Sequence, residues 1–163
     1  MATQTEDAHE PQSHAALSQL DGVATGARDF LLLAGRILIG WIFVQSGWRK
    51  LMDIPAFVAT MPRRGLPGFM GYVAPPVEFL GGLAVLTGCA TRYAALLMLL
   101  FTAIASFSSH RYWDFTDAAQ RGAQHTQFWK NVSMMGGMVL LFVTGGGRFS
   151  LDALLRRSVR DRA

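Results

Sequence analysis

The sequence predicts an all-α protein: an integral membrane bundle of four helices followed by a short amphipathic C-terminal helix. Three observations point there. Hydrophobic residues make up 51% of the chain and charged residues only 16%, whereas soluble domains carry about a quarter charged residues. The apolar residues gather into four stretches of roughly the length a bilayer core requires, about 20 residues at about 1.5 Å each. The basic residues fall between those stretches and at the C-terminal end. That placement suits anionic lipid heads rather than nucleic acid.

Residues 1–27 are polar and small, with Glu6, Asp7, Glu10, Pro11 and Asp21 and neither Lys nor Arg. They lack the positive start and apolar run of an export signal, so a disordered cytosolic tail is expected. The membrane domain is expected over 28–149. Its first span, about 29–52, carries Arg36 inside and Arg49 with Lys50 at its far end. A loop follows over 53–71, punctuated by Pro55, Pro62 and Pro67, with one amphipathic turn near 57–61. The second span, about 70–89, contains Pro75 and Pro76 ahead of Glu78. A helix starting at Pro76 would be too short to cross, so a proline-kinked helix starting near Phe69 is the reading adopted. The third span, about 93–109, follows so closely that it must be the antiparallel neighbour of the second. A polar loop over 111–125 leads to the fourth span, about 126–145, with Lys130 and Asn131 in its first turns and glycines at its end.

Residues 150–163 form the third region. Ser150 can cap a short helix there, with Asp152 in its first turn. Leu151, Leu154, Leu155 and Val159 share one face and arginines fill the rest, the pattern of a piece lying on the membrane surface. Four spans put both termini on one side. The arginine-dense tail and the missing export signal assign that side to the cytosol, in a bacterial-type inner (plasma) membrane.

Charge inside an apolar span is costly, about 2.5–3.5 kcal/mol per group on insertion scales, and calls for a partner or a purpose. Arg36 and Lys50 are fourteen residues apart and return to within about 40° of one helix face. Gly40, Phe43 and Gly47 share that stripe, which should therefore face the bundle. Arg36 itself is expected to snorkel to the inner interface. Glu78 is the one carboxylate within an apolar span, followed by Gly81 and Gly82. If the helices alternate in direction, Lys50, Glu78, His110, His125, Lys130, Asn131 and Trp113 gather near one membrane face. Glu78, His110 and Lys130 are the candidates for proton chemistry, and Lys50, His125, Asn131 and Trp113 for a cofactor-binding rim. Against this stand two plainer readings: a buried Glu78–Lys ion pair that only fixes helix register, and histidines that only join an interfacial aromatic belt. The single cysteine, Cys89, excludes a CxxC pair and a cysteine-rich cluster. It is read as packing at a helix end, and no metal site is expected.

Several segments, in order, resemble the DoxX family of small membrane proteins. They are the first span with its closing Gly47–Trp48–Arg49–Lys50–Leu51–Met52–Asp53, and Val77–Glu78–Phe79–Leu80–Gly81–Gly82 with Thr87–Gly88 and Thr91–Arg92. His110–Arg111–Tyr112–Trp113–Asp114–Phe115, Phe128–Trp129–Lys130–Asn131 and Gly147–Arg148–Phe149–Ser150–Leu151–Asp152 complete the series. The resemblance covers roughly 34–152. It implies a four-helix inner-membrane protein linked to quinone-dependent oxidoreductases, including a terminal quinol oxidase and thiosulfate:quinone oxidoreduction. The chain departs from the family in its long N-terminal tail, the Pro75–Pro76 pair and the glycine run before Arg148. The single cysteine argues against thiol-oxidising relatives.

The leading expectation is an accessory or quinone-facing subunit of a membrane oxidoreductase, with quinone as the candidate cofactor, a protein of a redox complex as partner and the lipid bilayer as surroundings. No nucleic-acid role is expected. The alternatives are a non-catalytic docking or assembly protein, using the loops 53–71 and 111–125, and, ranked below it, a small transporter.

Overall fold

The computed structural model describes residues 19–161, and every regular element among them is helical. The expected disordered tail lies, for residues 1–18, outside the described residues. Its last part differs from expectation: 19–26 is helical and runs up to α1.

Helix α1 spans Arg28–Met52 and ends at Asp53. The Asp53 side chain then caps the short helix α2, Ile54–Val58, by accepting from the Ala56 N–H at 3.0 Å. A 3-10 turn, Pro62–Arg64, leads to α3, Met70–Thr87. Helix α3 runs unbroken through Pro75 and Pro76, as the longer of the two sequence readings requires. Its 18 residues reach about 27 Å, just enough for a bilayer core. Helix α4, Thr91–Ser109, follows after three residues. The expected polar loop after it is shorter than foreseen. It holds a 3-10 turn, Tyr112–Asp114, and ends at Asp117, which caps α5, Ala118–Thr144, through the Gln120 N–H at 2.8 Å. Helix α6, Leu151–Arg160, is capped by Ser150, as the sequence indicates.

Helices α1, α3, α4 and α5 form the bundle, with α1 packed most extensively on α3 and α4 on α5. Three stretches are long and apolar enough to cross a membrane: Arg28–Met52, Met70–Thr87 and Thr91–Asp114. Helix α5 has the length but not the uniform composition. Polar residues fill its first half through Lys130 and Asn131, so its apolar part is confined to 132–144. The bundle thus combines three apolar crossings with a fourth, half-polar helix packed on α4. Large apolar side chains such as Leu38, Trp41, Leu80, Leu140 and Val143 face outward. In water that surface would be a liability; in a bilayer it is the solvent-matched face.

The buried face of α1 consists of Arg36, Gly40, Phe43 and Gly47, the stripe read from the helical period. The glycines set the spacing of α1 and α3. A Cβ on Gly47 would lie 2.6 Å from the backbone nitrogen of Phe79, and one on Gly40 would lie 2.8 Å from Leu86 Cβ. Gly82 answers from α3, where a Cβ would meet the Val44 backbone at 2.8 Å. Lipid offers no hydrophobic drive for helices to associate, so this close approach carries the packing. Val85, Ala95, Met98 and Met138 fill the centre.

One end of the bundle is closed by the C-terminal segment. Asp152 accepts from the backbone N–H groups of Ala90 and Thr91, at 2.7 and 2.8 Å, and from Thr91 Oγ1 at 2.7 Å. It therefore caps the N-terminus of α4 from α6. Arg36 does not snorkel, contrary to expectation. It is 1% exposed and donates from Nη2 to the Phe149 carbonyl at 2.5 Å, while Asp152 supplies the compensating charge. The cause is the turn between α3 and α4. Gly88 has φ +69°, and a Cβ there would sit 1.9 Å from Arg36 Nη1, so the glycine leaves the room that the guanidinium occupies. Asp29 accepts from the Arg148 N–H at 2.9 Å and completes the clamp. Cys89 lies in the same turn and is exposed rather than packed. Burial pushes the Asp152 carboxyl up, but the hydrogen bonds from Thr91 and Ala90 and the charge of Arg156 more than offset this. Its pKa ends below the ordinary carboxylate value.

Two outcomes follow from this packing. Gly47→Ala forces the α1 and α3 backbones apart and should destabilise the protein by about 1–3 kcal/mol, read as a lower unfolding temperature in detergent; an unchanged melt would contradict the close contact. Asp152→Ala should cost about 2 kcal/mol through the lost cap. Because the folded pKa of Asp152 is lowered, its contribution is complete above the ordinary carboxylate range and disappears as pH falls through the folded value. The wild type should therefore lose more stability than Asp152→Ala on acidification, and equal losses would remove the carboxylate from the account.

Candidate functional site

The opposite end of the bundle is open. A cavity of about 340 Å³ lies among α1, α3, α4 and α5, beneath the α2 segment. Its walls are apolar along α4 and α3, with Leu97, Leu100, Ile104, Val73 and Val77. Its polar lining consists of Ser46, Lys50, Arg64, Glu78, Thr102, Ser108, Ser109, His110, Lys130 and Asn131.

The centre of this lining is an ion pair between Lys50 and Glu78. Lys50 sits in the last turn of α1, and Glu78 follows the proline pair on α3, so antiparallel packing brings them level. The Glu78 side chain is 6% exposed and that of Lys50 28%, which makes the pair a cavity-wall feature rather than a surface bridge. Ser46, one turn back, accepts from Lys50 Nζ at 3.1 Å. The Lys50 ammonium also lies 5.4 Å from the centre of the Phe57 ring on α2, within cation–π range.

Arg64 forms the outer wall. Its Nε donates to Thr60 Oγ1 at 3.1 Å and its Nη1 to Ser109 Oγ at 2.7 Å. The guanidinium also lies over the Phe57 ring, 5.1 Å from its centre. Burial lowers its pKa, and the charge of Glu78 works in the opposite direction; a guanidinium stays protonated under both. On α5, Asn131 is buried and donates from Nδ2 to Ser106 Oγ at 3.0 Å. Ser106 and Thr102 bond back to carbonyls of their own helix at 2.6 Å each. Lys130, next to Asn131, is exposed at the cavity rim and donates to Gln127. His110, at the end of α4, shares a 2.9 Å hydrogen bond between Nδ1 and Gln124 Oε1.

Of the seven residues singled out in the sequence, Lys50, Glu78, His110, Lys130 and Asn131 line this one cavity. His125 and Trp113 are outside that lining. Helix α5 starts at Ala118, so His125 is on a helix rather than in a loop. It lies six residues before Asn131 and about 120° around the axis. Its ring packs edge-on against Tyr112, with centroids 4.9 Å apart. Trp113 joins Phe107, Tyr112 and Phe128 in an aromatic cluster. Both therefore sit in an aromatic group centred on Tyr112 and Phe128. Sequence reasoning missed Arg64, which shares a loop with Arg63 and carries no periodicity to tell the two apart. Among the described residues no cluster of His, Cys, Asp or Glu could hold a metal ion.

Comparison with known proteins places the chain. A DoxX family model matches residues 31–111, and a SURF4 family model matches 73–157. Over 129 residues the chain is 36% identical to inner membrane protein YqjF of Escherichia coli K12, an alignment that covers 79% of this chain and 95% of that protein. The chain belongs to the DoxX family. It is also 36% identical over 128 residues to inner membrane protein YphA of the same organism, covering 77% of this chain and 91% of YphA. A shorter likeness, 35% over 65 residues, links it to CatD of Bacillus subtilis 168, whose name carries oxidoreductase as a provisional description; it spans 40% of this chain and 48% of CatD. No solved structure matches the chain.

Proposed function

We propose that this DoxX-family membrane protein is the quinone-facing subunit of a membrane oxidoreductase. It would sit in a bacterial-type inner membrane with both termini on the cytoplasmic side. The observation that carries the reading is the cavity, which combines apolar walls along α3 and α4 with convergent polar groups. A quinone has this division: an apolar tail and a ring with two carbonyl oxygens that need donors. Lys50, Asn131 and Arg64 supply donors, while Glu78 and His110 are the groups that can carry protons.

Reduction of a quinone to a quinol takes two electrons and two protons. The chain offers one cysteine, at the clamped end, so the electrons would come from a redox partner protein. This subunit would bind the ring and deliver the protons, with Glu78 passing one and His110 the other. The names of YqjF and YphA support the inner-membrane setting, and that of CatD supports the redox setting. The arginines of α6 favour a cytoplasmic C-terminus.

Glu78→Gln keeps the size of the side chain and removes its proton-carrying ability. In a host whose respiration depends on the protein, that variant and His110→Ala should each lower quinone-dependent turnover by about 10²-fold, the scale of a lost general acid–base group. The protein should still reach the membrane. Unchanged respiration in both variants would overturn the catalytic reading.

A further inference from the structure

The cavity carries an uneven charge. Four side chains of fixed sign line it: Lys50, Arg64, Lys130 and Glu78. Among the described residues, Glu78 pairs with Lys50, and the remaining ion pair is Arg111–Asp114. Arg64 spends its hydrogen bonds on two neutral hydroxyls, and Lys130 reaches a neutral amide. Two cations therefore face the cavity without a carboxylate in ion-pair contact. A cation in a low-dielectric hollow, satisfied by neutral acceptors, keeps most of its attraction for an anion.

The approach to the cavity repeats this bias. A second hollow outside it is lined by Thr60, Arg63, Arg64, Ser109, Arg111 and Asp114, among others. Arg111 and Asp114 neutralise each other, which leaves Arg63 and Arg64. Arg64, Ser108 and Ser109 line both hollows, so the Arg64–Ser109 hydrogen bond is the partition between them. Arg64 is thus placed to meet a ligand arriving from outside and to hold it once inside.

We infer that the cavity binds its amphiphilic ligand as an anion, with Arg64 as the main counter-charge and Lys130 at the rim. The inference rests on the quinone reading of the cavity and narrows it. The favoured occupant is a quinone whose ring carries an ionised hydroxyl, rather than a neutral quinone, with the tail lying along the apolar face of α4. The shared chemistry is an anionic head on an apolar tail, which a fatty-acid carboxylate also has.

The full chain in lipid nanodiscs would be titrated with three probes that share one decyl tail: a neutral benzoquinone, its ring-hydroxylated analogue ionised at the assay pH, and the alkyl carboxylate. The hydroxylated probe should bind about tenfold more tightly than the neutral one, a difference of about 1.4 kcal/mol. Acidifying below the ionisation of its hydroxyl should erase the preference. Arg64→Gln should bring the two affinities together, and Lys130→Gln should narrow the gap should the Arg64 variant fail to fold. Glu78→Gln should tighten binding of the anion, because it frees Lys50; a merely structural Glu78 would weaken it. Equal affinity for neutral and ionised quinones would overturn the inference and leave the quinone reading standing. Binding of the carboxylate with neither quinone would overturn the quinone reading and keep the anion site. No binding of any probe would overturn both.

Discussion

The buried contact between Lys50 and Glu78 is the constraint on which the rest of the bundle depends. A carboxylate inside an apolar span is tolerable only with a partner, and removing one member of a buried pair costs about 3–5 kcal/mol. The pairing requires α1 and α3 to lie almost backbone to backbone. Gly40, Gly47 and Gly82 allow that approach, since a Cβ at any of them would enter the neighbouring helix. With α1 and α3 fixed, α4 must follow through a three-residue turn, and α5 packs on α4. The cavity is the space left where this packing opens toward α2. The same pair that sets the register therefore becomes the wall of the candidate site, and the structural and functional readings of Glu78 describe one side chain.

The two ends of the molecule are built in opposite ways. At one end, Asp152, Arg36 and Asp29 join the C-terminal segment to the turn between α3 and α4 and to the start of α1, so the helix ends are capped and the space is filled. At the other end, hydroxyls and cations surround a hollow. Both ends carry helix caps, Ser150 and Asp152 at the closed end and Asp53 and Asp117 at the open one, but at the open end the remaining polar residues line a hollow.

Much of this was legible in the residues. The stripe Arg36, Gly40, Phe43 and Gly47 follows from a period of 3.6, and the need of Glu78 for a cationic partner follows from the cost of charge in an apolar span, whereas the choice of Lys50 over Lys130 comes from the fold. The proline pair was placed correctly inside α3 because a shorter helix could not cross. Other features needed coordinates. Asp152 looks like an ordinary first-turn acid of its own helix, and only the fold brings it to the backbone of Ala90 and Thr91. Arg36 was expected at the interface because nothing local reveals the space beside Gly88. The early start of α5 was hidden because residues 118–125 are polar and carry no helical apolar stripe. The same early start places His125 on a helix, outside the cavity lining.

The central claim is that the cavity at the Lys50–Glu78 pair holds a quinone. The most direct measurement is to extract the protein from its native membranes in mild detergent and identify the lipid-soluble compounds that travel with it by mass spectrometry, beside a variant in which Ala105 is enlarged to Phe to fill the cavity. The account predicts a quinone in stoichiometric amount with the wild type and its loss from the filled variant. Recovery of the wild type without quinone, or equal recovery of quinone from both, would contradict it.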